Sequence, residues 1–227
     1  MLKSLKLLLL SGLVTASLPG YCANQNLENS VQYLTGDTRL ACEAILCLSS
    51  AYRPSECSPS LNRYFSIDDK KARKKIRKRK NFLNKCPAGD TANANLWVSL
   101  IDSISESAEI CTADGLNQYT ASTAYDTAGA IRYTYRSNQL PSFCTRYWDH
   151  EWTYFEKQHL PVYIGSPELR GFWSEPPDQA KAQDRFDRWV VQYRDYLSRM
   201  QRYRDCQQDE NRTCRKPHLS WTHPITE

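Results

Sequence analysis

The sequence predicts a mainly α fold with a small β element (α+β), stabilised by disulfides. Four segments repeat apolar residues at helical spacing, three short ones have strand patterns, and eight of the nine cysteines lie beyond residue 23. In the first helix, Leu40, Ala44 and Leu48 recur four apart behind the capping pair Asp37-Thr38. Cys42 and Cys47 lie five positions apart on it, about 140° around the axis, so their sulfurs point to different partners. In AYRPSECSPSLNRYFSI, Ser58 and Pro59 suit a single helical turn within a loop around Cys57. Ser66 and Asp69 then resemble a capping box for KKARKKIRKRKNFLNK, where Ala72, Ile76 and Leu83 make a narrow apolar stripe that stops at Cys86-Pro87. In LWVSLIDSISESAEIC, Leu96, Leu100, Ile101, Ile104, Ala108 and Cys111 share one helical face.

Residues 112–130 are small and polar, with little pattern beyond a turn signal at Asp114-Gly115. Ile131, Tyr133 and Tyr135 then alternate with Arg132, Thr134 and Arg136, the period of a half-buried strand. The β-prone pieces PVYIG and GFW flank SPELR as a hairpin would. From Asp178 onward, Phe186, Trp189, Val190, Tyr193, Leu197 and Met200 mark the clearest amphipathic helix, ending near Cys206. The expected organisation is a disulfide-rich helical half at about 35–111 and a mixed half at about 112–227.

Residues 1–23 have the layout of a cleavable secretory signal: Lys3 and Lys6, an apolar stretch from Leu7 to Leu18, then Pro19-Gly20 and small residues. The stretch is short of the ~20 residues that span a bilayer. Cleavage after Ala23 removes Cys22 and leaves Cys42, Cys47, Cys57, Cys86, Cys111, Cys144, Cys206 and Cys214, an even set that reads as a disulfide framework in an exported protein. If the first two helices pack antiparallel, Cys42 meets Cys86 and Cys47 is left to Cys57. Cys206 and Cys214 are spaced to close a local loop. No Cys-x-x-Cys pair or Cys/His quartet has structural-zinc spacing, so no metal and no cofactor is expected. Loss of Lys3 and Lys6 lowers the formal charge from +5 to +3, so the location of the charge matters more than its sum.

The densest signal is Lys70, Lys71, Arg73, Lys74, Lys75, Arg77, Lys78, Arg79 and Lys80, nine basic residues in eleven positions. In an exported chain such a run suits an acidic protein partner or an anionic envelope surface better than nucleic acid. The alternative is a solvated helix face. Trp148 and Trp173 are the second candidate contact region. Four glutamates, Glu151, Glu156, Glu168 and Glu175, stand among aromatics, a pattern that also occurs in saccharide clefts. His150-Glu151 lacks the second histidine of a zinc-protease helix, and no nucleophile elbow or phosphate-binding loop is present. No catalytic residue emerges.

The blocks ACEAILCLSS with Cys42 and Cys47, RPSECSPSLNRYF with Cys57 and NFLNKCP with Cys86 occur in that order over about residues 35–90. There the chain resembles the TrbM/KikA/MpfK family of conjugal transfer proteins. The resemblance implies a periplasmic accessory of mating-pair formation, related to type IV secretion, that acts by binding protein components of the apparatus. It assigns no reaction to any residue. The alternatives are a peptidoglycan-acting envelope enzyme and a factor for entry exclusion or host effects.

Overall fold

The first predicted helix forms as α1, Gly36–Leu48, because Ala41, Ala44, Ile45 and Leu48 line one face and are all buried. A computed structural model of the chain describes residues 34–87, 93–125, 132–208, 212–218 and 223. The leader at 1–23 lies outside the described residues. The chain divides into Met1–Thr35 and Gly36–Glu227, and every element here belongs to the second unit.

A 3-10 turn at Ser55–Cys57 leads into α2, Ser58–Phe65, followed by α3, Ala72–Leu83, α4, Ala94–Ser107, and α5, Ala113–Tyr119. Strands β1, Ala121–Tyr125, and β2, Arg132–Arg136, pair antiparallel with Ala121 opposite Arg136. After α6, Ser142–Trp148, strands β3, Val162–Ile164, and β4, Phe172–Ser174, form the predicted hairpin with Tyr163 opposite Trp173. The long helix α7, Gln179–Gln207, completes a mainly α chain with two small sheets.

Two apolar clusters hold these elements. The first gathers Leu48, Tyr64, Phe82, Leu83, Ile101, Ile104, Leu116 and Tyr147, and Tyr147 donates its hydroxyl proton to the Leu48 carbonyl. The second packs Phe186, Trp189, Val190, Tyr193 and Met200 of α7 against Ile164 and Phe172. Strand β4 serves both, because alternate side chains point to opposite faces: Phe172 enters the second cluster and Trp173 the first. Gly165, at φ +81°, lets the hairpin press on Phe186, whose ring a Cβ there would meet at 2.1 Å.

The cysteines form four bridges: Cys42–Cys86, Cys47–Cys57, Cys111–Cys144 and Cys206–Cys214. Cys42 and Cys47 take different partners, as their angular separation on α1 requires. The first bridge ties α1 to the residues after α3, the second ties it to the entry of α2, and the third joins the connection between α4 and α5 to α6. With its cysteines 44 positions apart, Cys42–Cys86 stabilises by ~4 kcal/mol in the chain-entropy account.

Several local expectations give way to longer-range contacts. The segment after Cys57 is a two-turn helix rather than one turn, because Tyr64 is fully buried and its hydroxyl donates to the Ile104 carbonyl at 3.2 Å. The capping box at Ser66 and Asp69 does not form. Ser66 donates to the Arg63 carbonyl and so closes α2, while Asp69 accepts the Lys71 N–H, and α3 starts only at Ala72. Ala72 is exposed, and the buried face of α3 is Arg79, Phe82 and Leu83. Asp114 and Gly115 sit in the first turn of α5, where the Thr112 hydroxyl accepts the Gly115 N–H at 3.1 Å. Leu197 of α7 is 41% exposed, and Tyr196 is buried in its place.

Asp37 clasps this helical region. Its carboxylate accepts two hydrogen bonds from Arg63 at 2.9 and 3.0 Å and pairs with Lys85 at 2.5 Å, linking α1 to α2 and to the segment after α3. The hydrogen bonds from Arg63 and Lys85 hold its pKa down to about 2. A folded-state value below the ordinary one contributes stability that is full above about pH 4 and fades as pH falls toward 2. Asp37→Asn should therefore lower the Tm at neutral pH, and the gap from the native chain should close on acidification through that window. A gap of constant size down to pH 2 contradicts the clasp.

Candidate interaction surface

The nine basic residues at 70–80 do not act alike once folded. Arg79 points inward from α3 and its side chain is 3% exposed. Its guanidinium lies 5.0 Å from the Tyr64 ring centroid and 5.5 Å from that of Phe65, and it donates to the Ile67 carbonyl at 3.2 Å and to Glu109 at 2.8 Å. Lys75 pairs with Glu109 at 2.8 Å. Burial alone would raise the pKa of Glu109, but hydrogen bonds from Lys75 and Arg79 outweigh it and leave the carboxyl below its ordinary value. Lys78 pairs with Asp69 at 3.0 Å, and Lys80 pairs with Asp102 of α4.

The other five, Lys70, Lys71, Arg73, Lys74 and Arg77, are exposed, and none forms an ion pair among the described residues. Arg73, Lys74 and Arg77 lie three and four apart within α3 and share its outer face, and Lys70 precedes them in the approach to the helix. The sequence marks the whole run without separating its paired from its unpaired members. The separating signal is the register of the acids, because Asp68, Asp69, Asp102 and Glu109 all lie on the side that carries Lys75, Lys78, Arg79 and Lys80. A one-sided cationic stripe raises the local potential by several kT and attracts polyanionic or acidic surfaces.

The second predicted contact region is corrected. Trp148 and Trp173 are each only 7% exposed, and both belong to the first apolar cluster. Trp173 stacks edge-on with Tyr163 at 5.3 Å and donates its indole N–H to the Ser137 carbonyl at 3.1 Å. Neither ring offers contact surface, because α6 and β4 turn these positions to the core. Exposed aromatic side chains flank instead the bridge between Ser50 and Tyr154, where Tyr52 and Tyr154 are 78% and 68% exposed.

A groove of about 810 Å³ between α4 and α6 is lined by Ser99, Asp102, Glu106, Arg146, Asp149 and His150 among others. His150 Nε2 lies 2.7 Å from Ser99 Oγ. The other ring nitrogen, Nδ1, accepts the Trp152 N–H at 3.1 Å, so the proton of the neutral ring sits on Nε2 and is donated to Ser99. Ser99 passes its own proton to the Leu96 carbonyl at 3.1 Å. Burial holds the His150 pKa below its ordinary value and keeps the ring neutral. A serine nucleophile needs the opposite tautomer, with a bare nitrogen facing the hydroxyl. The pair is thus a clasp between α4 and the segment after α6.

Three of the four glutamates also have other work. Glu175 accepts the Ala113 N–H at 2.7 Å at the start of α5. Hydrogen bonds from Tyr154 and Gln158 lower the pKa of Glu156, and the Ser166 hydroxyl lowers that of Glu168, whereas a general acid needs a raised one. Glu151 is simply exposed. Among the described residues no three His, Cys, Asp or Glu side chains are placed to hold a metal ion, and all eight described cysteines are in bridges.

Fold and surface together define a disulfide-stapled, mainly helical protein, and its four bridges fit a chain that matures in an oxidising compartment. No helix among the described residues is long and apolar enough to cross a membrane. Residues 33–187, well over half of the chain, match the model of the TrbM family, and the chain belongs to that family, whose members are related to conjugal transfer. The match contains three of the bridges and ends within α7, leaving Cys206–Cys214 beyond it. Neither a curated protein nor a solved structure matches the chain.

The division of the basic run is directly testable. Arg79→Ala should cost about 2–4 kcal/mol, since it removes a buried cation, its stacking partners' contact and one of the two donors to Glu109. Arg77→Ala should stay within about 0.5 kcal/mol. Urea midpoints of the two variants measure the contrast, and equal losses contradict the assignment.

Proposed function

We propose that this protein is a periplasmic accessory of plasmid conjugation, exported by a leader cleaved after Ala23, and that it acts by binding within the mating-pair formation apparatus related to type IV secretion. The observation that carries the binding role is the group of Lys70, Arg73, Lys74 and Arg77, exposed and without an ion pair among the described residues on α3 and its approach, where Lys75, Lys78, Arg79 and Lys80 are neutralised. Its partner is an acidic surface on a protein component of the apparatus. Family membership supports the setting, and the bridges support a body that stays rigid outside the cytosol, so little ordering cost is added on contact. An anionic envelope surface would meet the same stripe by the same charge complementarity, and the experiment separates the two.

The test replaces Lys70, Arg73, Lys74 and Arg77 by glutamine together in donor cells. The expected outcome is a fall of at least tenfold in transfer frequency and loss of crosslinks to one apparatus protein, with export and Tm unchanged. Transfer and crosslinks that persist contradict the proposal. Crosslinks that pass from the native stripe only to lipid assign the envelope surface instead.

A further inference from the structure

Arg170 of the β3–β4 hairpin and Arg136 of β2 form a second concentration of positive charge, and both are half-buried. Arg170 lies in the hairpin loop with φ +61°, a left-handed conformation that non-glycine residues adopt rarely and that clusters at binding sites. The turn is held there by the Arg170 N–H on the Pro167 carbonyl at 3.0 Å and the Gly171 N–H on the Ser166 carbonyl at 2.7 Å. It lays the Arg170 guanidinium over the faces of Trp189, at 5.4 Å, and Tyr193, at 5.9 Å. His223 closes over the same ring, 4.9 Å from Trp189, with Nε2 donating to the Arg170 carbonyl at 2.7 Å.

Arg136, at the end of β2, faces this hairpin. Its carbonyl accepts the Tyr163 hydroxyl proton at 2.8 Å, and its Nε donates to the Asn117 carbonyl at 3.1 Å. Burial first, and then the charge of Arg170, hold Arg136 below its ordinary pKa, so the two guanidiniums lie within each other's field. Among the described residues no carboxylate pairs with either. Two half-buried cations that repel one another without a counter-charge are costly, and proteins keep that arrangement mainly where an anion is received.

Unmet donors point the same way. Arg170 Nε and Trp189 Nε1 are both buried without an acceptor among the described residues, and they belong to side chains in face contact. Buried donors are nearly always satisfied, so two unsatisfied ones on stacked side chains, beside an uncompensated charge, point to an acceptor from beyond the described residues. Stacking on rings leaves the edge of a guanidinium free for bidentate hydrogen bonding to a planar or tetrahedral oxyanion.

We propose that Arg170, Arg136 and Trp189 form a binding site for an oxyanion, a carboxylate or phosphate group, between the β3–β4 hairpin, β2 and α7. The site is separate from the basic stripe on α3 and does not depend on the partner assigned to it.

The full chain is titrated with inorganic phosphate and with acetate against chloride at matched ionic strength, reading Tm and tryptophan fluorescence. Either oxyanion should raise the Tm by several degrees beyond chloride and change the emission with a saturating curve. Phosphate alone doing so assigns a phosphoryl ligand, acetate alone a carboxylate, and both a general oxyanion site. Arg170→Gln should weaken the apparent affinity at least tenfold. Trp189→Phe keeps an aromatic face under the guanidinium, removes the indole N–H along with part of the ring, and should weaken it severalfold, which tests the site even if the arginine variant does not fold. The Lys70, Arg73, Lys74 and Arg77 variant should bind like the native chain. No shift beyond chloride, or a shift that survives in Trp189→Phe and in any folded Arg170→Gln protein, overturns the site.

Discussion

Helix α1 is fixed from three directions, and the arrangement of the helical region follows from that. Cys42 and Cys47, separated around its axis, go to Cys86 and Cys57, while Ala41, Ala44, Ile45 and Leu48 occupy the core between them. Small residues at 41 and 44 let neighbouring elements approach closely, and close approach is what brings the sulfurs within bonding range. With α1 fixed, the segment after α3 is fixed as well, because its last turn is followed at once by Cys86. The inward direction of Arg79 then leaves Lys70, Arg73, Lys74 and Arg77 to solvent. The cationic face is in this sense a product of the cross-links.

The same logic explains why charge content says so little about charge use. Within eleven positions of one helix and its approach, one arginine is a core residue stacked on two aromatic rings, three lysines answer acids on neighbouring elements, and the rest face water. Surface pairs of this kind are individually weak. What they accomplish is to make the outer face uniform in sign by consuming the available acids on the inner one. The hairpin side of the molecule reverses the pattern, since Arg136 and Arg170 are half-buried and no acid among the described residues pairs with them.

Long elements with strong periodicity were legible in the sequence: α1, α4, α7 and the β3–β4 hairpin stand where apolar spacing places them, and Cys42–Cys86, Cys47–Cys57 and Cys206–Cys214 join cysteines that sequence position brings together. The short elements were not. Helices α5 and α6 have seven residues each, too few for a period to show, and α5 is held at its start by Glu175 from 62 residues away. Strand β1 has a mostly exposed face and is a strand because β2 pairs with it. Trp148 and Trp173 could not be assigned to core or surface from local pattern, since the deciding contacts come from elements remote in sequence. For the candidate surface, the basic run was visible but its division was not, because Glu109 and Asp102 reach it across the α3–α4 contact.

Everything about the α3 face and its rigidity rests on oxidised sulfur around α1. The most direct measurement is non-reducing peptide mapping by mass spectrometry of the native protein recovered from cells. The account predicts the pairs Cys42–Cys86, Cys47–Cys57, Cys111–Cys144 and Cys206–Cys214 with no free thiol. Alkylatable cysteines in the native protein, or Cys42 and Cys47 joined to any other partners, would contradict it.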